Sequence, residues 1–195
     1  MKSPLLLVLL LLAAPASAQR TGTLPASKPV EDSQLYRNAV FGFRYRIPYG
    51  WVERTKEMQE GNDAAKGEVL LAIFERPPQA AGDSVNSSVV IGAEKASAFL
   101  GLKKAEDYLG TLTESAASKG FKADGDPSEM QIDSQRLIRA DFARPLSDKL
   151  TVHQATLVML AKGEIVSFMF IADSADEVNG LIDRLDFSSP KSKAK

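Results

Sequence analysis

Residues 151–172 (TVHQATLVMLAKGEIVSFMFIA) leave this chain few architectures to choose from. Two strongly apolar runs flank Lys162-Gly163, a pair suited to a two-residue turn because glycine accepts positive φ. With those two residues as the loop, the pairing has a single register. On one face His153 lies opposite Ala172, Ala155 opposite Phe170, Leu157 opposite Phe168 and Met159 opposite Val166. On the other, Gln154 meets Ile171, Thr156 meets Met169, Val158 meets Ser167 and Leu160 meets Ile165. The first face is almost wholly apolar, and the second is mixed but too apolar to be left in water. A sheet of this kind needs cover on both sides.

Two helices are available to supply it. In residues 103–118, Ala105, Tyr108, Leu109, Leu112 and Ala116 form one apolar stripe, and Gly120 is a natural stop. After the hairpin, Ser174 and Glu177 have the spacing of a capping box, followed by Val178, Leu181, Ile182 and Leu185 at helical intervals. Further strands are expected at residues 41–47 (FGFRYRI, period two, ended by Pro48 and Gly50), 69–74 and 88–93. Residues 130–132 and 136–142 are expected to form a hairpin around Asp133-Ser134. The fold class is therefore α/β in the α+β sense: an α-β-α sandwich with a central, mostly antiparallel sheet covered by helices on both faces.

The termini describe compartment more than fold. Residues 1–18 carry Lys2, an unbroken apolar run from Leu5 to Leu12, and small residues Ala16-Ser17-Ala18 ahead of Gln19. This is the layout of a secretory signal peptide cleaved after Ala18, with an apolar run too short to span a bilayer. The expected localisation is periplasmic or secreted, with no membrane span in the mature chain. Residues 19–35 read as a flexible linker containing Pro25 and Pro29, residues 36–187 as one domain, and residues 188–195 (SSPKSKAK) as a disordered basic tail. There is no cysteine, so stability must come from packing, and thiolate chemistry, cysteine-bound zinc and an acylated lipoprotein cysteine are excluded. With 24 Lys plus Arg against 25 Asp plus Glu, and no basic stripe visible along the sequence, nucleic acid is not an expected partner.

Tyr36-Arg-Asn, then Phe41-Gly-Phe-Arg-Tyr-Arg-Ile-Pro48-Tyr-Gly-Trp51, resembles the opening of PsbP-like domains, where an aromatic strand runs into a Pro-x-x-Trp turn. The close is similar too: an apolar hairpin through Gly163, then a serine-capped helix ending in Leu185-Asp-Phe187. The resemblance, to PsbP-like, Mog-like and bacterial DcrB-like domains, implies an antiparallel sheet between helices. It also implies a role in binding. Members include extrinsic subunits of the oxygen-evolving complex, a eukaryotic branch that binds a small GTPase, and bacterial chaperones; many leader-bearing bacterial members have no assigned role. No catalytic motif is shared, so the resemblance transfers no catalytic, cofactor-binding or metal-binding residue, and none is expected here.

The residues that invite chemistry have plainer explanations. His153 is the only histidine; a general base would need a nucleophile and an orienting carboxylate, and a metal site would need carboxylate co-ligands. The register places it at the end of the core face near Asp173, as a half-buried histidine with one or two hydrogen bonds. Asp124-Gly125-Asp126 lacks the further oxygens of a calcium loop and reads as a turn. Gly61, Gly67, Gly82 and Gly92 form no phosphate cradle. Trp51 is expected to plug the edge of the core, and Arg139 and Asp141, on one strand face with Arg144 beyond its end, to form a surface ion pair. Asn86-Ser87-Ser88 matches a glycosylation acceptor. The expectation is a non-catalytic binding or assembly module that contacts another envelope or secreted protein, through the loops at residues 54–67 and 76–86. A carrier holding a small apolar ligand between sheet and helix, against Phe168, Phe170 and Met159, is the alternative. A hydrolase using His153 comes last.

Overall fold

The computed structural model describes residues 35–60, 67–77, 80 and 84–187. The leader, the linker up to residue 34 and the basic tail lie outside the described residues, as do parts of both expected contact loops.

The chain begins with β1 (Leu35–Asn38) and β2 (Phe43–Arg46), followed by β3 (Val52–Glu53), α1 (Thr55–Glu60), β4 (Gly67–Phe74) and β5 (Ser88–Lys95). Next come α2 (Leu109–Ser118), β6 (Lys122–Ala123), β7 (Ser128–Ile132), β8 (Gln135–Ser147), β9 (Leu150–Ala161) and β10 (Glu164–Ala172). The described chain closes with α3 (Ala175–Ile182) and β11 (Leu185–Asp186). Eight strands form one sheet in the order β3-β4-β5-β10-β9-β8-β6, with β7 also paired to β8, and every pairing is antiparallel. The β9–β10 hairpin has the register read from its turn, from His153 opposite Ala172 to Leu160 opposite Ile165, with Lys162 and Gly163 both at positive φ.

The two faces of this sheet carry two separate cores. Leu71, Ile73, Val89, Ile91, Ala155, Leu157, Met159, Phe168 and Phe170 pack with Val178, Leu181 and Ile182 of α3 and with Phe43 and Tyr45. Opposite them, Val69, Ala72, Val90, Ile138, Phe142, Val158 and Ile165 pack with Tyr108, Leu112 and Ala116, joined by Met58 of α1. One part of the cover was not anticipated. A second, three-stranded sheet in the order β1-β2-β11 shares the first face with α3.

Three further expectations need correction. The expected strand at residues 41–47 is shorter, because Gly42 sits at φ +74 and Phe41 is held in a turn by Asn38. The helix expected over residues 103–118 is a 3₁₀ turn (Ala105–Tyr108) leading into α2. The Asp107 carboxylate accepts the backbone N–H groups of Lys103 and Lys104, tightening that first turn. Residues 54–67 are not simply a loop, since α1 occupies Thr55–Glu60 and sets Met58 on the sheet.

α3 starts as its sequence requires, but with half of the expected box. The Ser174 hydroxyl oxygen accepts the Glu177 N–H at 3.3 Å, while the Glu177 carboxylate accepts from Ser87 at 2.7 Å instead of reaching back. Ser174→Ala is expected to lower stability by about 1 kcal/mol through loss of that cap. A shift of the urea midpoint at unchanged slope would register it.

Candidate functional site

Four polar side chains come together where β6 pairs with β8. The odd-numbered residues of β8 and β9 share a face, so Arg139, Asp141 and His153 point the same way: Arg139 lies opposite Leu157, Asp141 opposite Ala155, and His153 opposite Ala143. Asp124 follows β6 and is drawn in by its backbone N–H, which donates to the Asp141 carbonyl at 2.9 Å. With Phe142, Gln154, and Ala175 and Val178 from α3, these residues line a cleft of about 170 Å³.

The cleft is charged, and two of its charges hold each other. Arg139 clamps Asp141 through both oxygens, with Nε–Oδ2 at 2.8 Å and Nη2–Oδ1 at 2.8 Å. The two side chains are only 20% and 33% exposed, so this pair is half-buried and not the surface contact expected from the sequence. A two-pronged guanidinium–carboxylate contact is among the stronger polar interactions, and it commits Asp141 to Arg139. His153 is half-buried between Ala143 and Ala172. Asp173, which follows the Ala172 paired with His153, is hydrogen-bonded to Glu177. Burial holds the Glu177 carboxyl above its ordinary range; the Ser87 hydroxyl opposes that shift, while Asp173 and Glu75 add to it. No hydroxyl or thiol side chain is among the residues lining the cleft. Among the described residues, no three His, Asp or Glu side chains are grouped to hold a metal ion.

The remaining candidates take structural places. Trp51 packs against the first core, after a tight turn in which its N–H reaches the Pro48 carbonyl and Gly50 sits at φ +82. Asp124 and Asp126 are exposed around Gly125 at φ +90, the turn that was expected. The Asn86 amide is fully engaged, accepting the Arg76 N–H at 2.9 Å and donating to the Arg76 carbonyl at 3.0 Å, so it ties a loop base. Arg144 caps the end of α2 through the Lys119 carbonyl at 3.0 Å and lies over the Phe121 ring at 5.0 Å. Sequence reasoning had placed Arg139 and Asp141 on one face. It missed that β6 and β9, paired to opposite edges of β8, bring Asp124 and His153 to them.

An antiparallel sheet with a separate core on each side defines an α+β domain. No protein-family model matches the chain, and no curated protein sequence does. Among solved structures it is similar to cyanobacterial PsbP (CyanoP) from Synechocystis, with a TM-score of 0.50 and 17% identity over 84% of this chain and 98% of that one. PA94 from Pseudomonas aeruginosa matches at a TM-score of 0.43 and 15% identity, over 82% of this chain and 97% of that one. LpqN, involved in cell envelope biogenesis of Mycobacterium tuberculosis, matches at 0.38 and 16%, over 73% and 76%. The chain has a PsbP-like fold, and that assignment rests on the first of these. Among the described residues, no helix is long and apolar enough to cross a membrane.

Proposed function

We propose that this protein is a secreted or periplasmic, non-catalytic binding module that contacts another envelope protein, built as an α-β-α sandwich in which α3 and α2 cover opposite faces of the sheet. The observation that carries this reading is that the charged cleft and the aromatic face are each already occupied from within. The charged cleft spends its arginine on its own aspartate. The face that a carried apolar ligand would use is filled by aromatic rings: Phe168 meets Phe43 at 5.0 Å and Phe187 at 5.9 Å, and Phe170 lies 6.3 Å from Tyr45. Catalysis by His153 would need a nucleophile beside it and Asp141 released from Arg139. The leader-like residues 1–18 support the compartment.

Native mass spectrometry on the chain gently purified from its own host tests this. The expected species begins at Gln19 and is either bare or paired with a second protein. A stoichiometric small-molecule adduct would overturn the reading in favour of a carrier. An activity of the purified chain that disappears in His153→Ala would overturn it in favour of an enzyme.

A further inference from the structure

The outward face of the three-stranded sheet gathers charge that is invisible along the sequence. In β2, Phe43 and Tyr45 are buried in the core, so Arg44 and Arg46 alternate to the opposite side. β1 sets Arg37 directly across from Arg44. Arg184 arrives from the turn before β11, where its Nη1 lies 3.5 Å from the Arg46 carbonyl and its backbone carbonyl accepts the Arg46 N–H. Arg37 and Arg46 are exposed. One acid shares the face, Asp186, paired with Arg44 at 2.7 Å, while Arg46 donates to the backbone carbonyl of Asp183 at 3.0 Å. Cations therefore outnumber acids on one small sheet, while the whole chain has a formal net charge of −1. From β11 the sequence runs on through Lys191, Lys193 and Lys195 with no acidic residue after Asp186.

The ends of β2 add a second property. Tyr49, three residues past Arg46, is 91% exposed, and Val40, in the turn before β2, is 58% exposed. An arginine cluster flanked by an exposed aromatic and an exposed aliphatic side chain combines the two features that hold a protein at a headgroup layer. Guanidinium groups bind phosphate oxygens in pairs, and a tyrosine ring sits with its apolar body toward the acyl chains and its hydroxyl in water.

We propose that this face docks on an anionic phospholipid bilayer, with Arg37, Arg46 and Arg184 against headgroup phosphates and Tyr49 at the interface. An acidic protein segment would use the same charge. The bilayer is favoured because the cations are spread across neighbouring strands and a lysine-bearing terminus leaves the same sheet. Diffuse attraction to a charged surface rewards that arrangement without shape complementarity. The proposal does not depend on the protein partner proposed above.

Sedimentation of the leader-free chain with vesicles tests it. Binding is expected to phosphatidylcholine vesicles containing phosphatidylglycerol, weakening as salt is raised, and not to pure phosphatidylcholine. Each exposed arginine removed should cost about fivefold in affinity, so Arg37→Gln with Arg46→Gln should weaken binding roughly 25-fold. The charge-matched control Lys103→Gln with Lys104→Gln, ahead of the 3₁₀ turn that packs on the other side of the large sheet, should leave it unchanged. The proposal is overturned if anionic vesicles do not bind, or if neutral ones bind equally. It also fails if the arginine pair has no effect while Lys191, Lys193 and Lys195→Gln abolishes binding, which would assign the attraction to the tail alone. Binding to polyglutamate with none to vesicles would assign the face to an acidic protein.

Discussion

Phe168→Ala is expected to lower the free energy of unfolding by about 3–5 kcal/mol, the range for truncating a fully buried aromatic residue. Phe168 is completely buried in β10, which pairs with β5 on one side and β9 on the other. Its ring stands edge-on to Phe43 of β2 and to Phe187 just past β11. It is therefore a point at which the three-stranded sheet is fastened to the eight-stranded one, and truncation leaves a cavity between two layers instead of a dent in one. Against a typical total of about 5–15 kcal/mol, such a loss is large. For a domain of this size it should lower the melting temperature by roughly 6–20 °C. Urea unfolding measures it directly, provided the slope is unchanged. A loss below about 1 kcal/mol would mean that the Phe168 site collapses freely or was never tightly filled. A carried apolar ligand would then have space that tightly filled rings deny it.

The success and failure of the sequence reading follow the range of the interactions involved. The β9–β10 register was legible because a two-residue turn and a period of two leave only one pairing, and every partner on both faces followed from Lys162-Gly163. The start of α3 was legible for a similar reason, since Ser174 and Glu177 are local neighbours. The three-stranded sheet was not. β11 is two residues long, and its partner β2 lies almost the whole domain away in sequence, so no local pattern marks it. The arginine face was hidden by the same distance: residues 37–46 and 184 become neighbours only when β11 adds to β2. In the cleft, Arg139 and Asp141 could be placed together because they are two apart in a strand, whereas Asp124 and His153 join them only through pairings across β8. Glu94 was missed for another reason. A glutamate at the end of an apolar strand reads as the place where the strand meets water, and here the strand runs on to Lys95 with Glu94 beneath the 3₁₀ turn.

Replacing that glutamate is expected to stabilise the protein, and only at the higher end of the pH range. Glu94 is 7% exposed. Its Oε2 accepts a hydrogen bond from the Tyr108 hydroxyl, and its Oε1 has no hydrogen-bond partner. Across the sheet, Gly67 makes room for it: a Cβ there would stand 2.9 Å from Glu94 Cγ and 2.9 Å from the Ala93 carbonyl oxygen. Burial pushes the Glu94 carboxyl above its ordinary value of 4.5, and the Tyr108 hydrogen bond recovers only part of that shift. Burial, followed by the neighbouring Glu94 charge, likewise pushes the Tyr108 hydroxyl up, which keeps it a donor. A carboxyl whose pKa is raised on folding favours the folded state most while it is protonated. That advantage is complete below the unfolded value and is lost as pH rises through the folded one. Glu94→Gln keeps the shape and an oxygen to accept from Tyr108, but cannot ionise. It should match the parent near pH 4 and exceed it near pH 8 by about 1–3 kcal/mol, the cost of a buried charged acceptor left half satisfied. Tyr108→Phe should do the reverse at the higher pH, because it removes the one donor the carboxylate has. Denaturant midpoints for parent and both variants at the two pH values decide the matter. A Glu94→Gln gain that is equal at both would trace the effect to shape and not to charge, and a loss at both would show that the carboxylate is held by more than Tyr108.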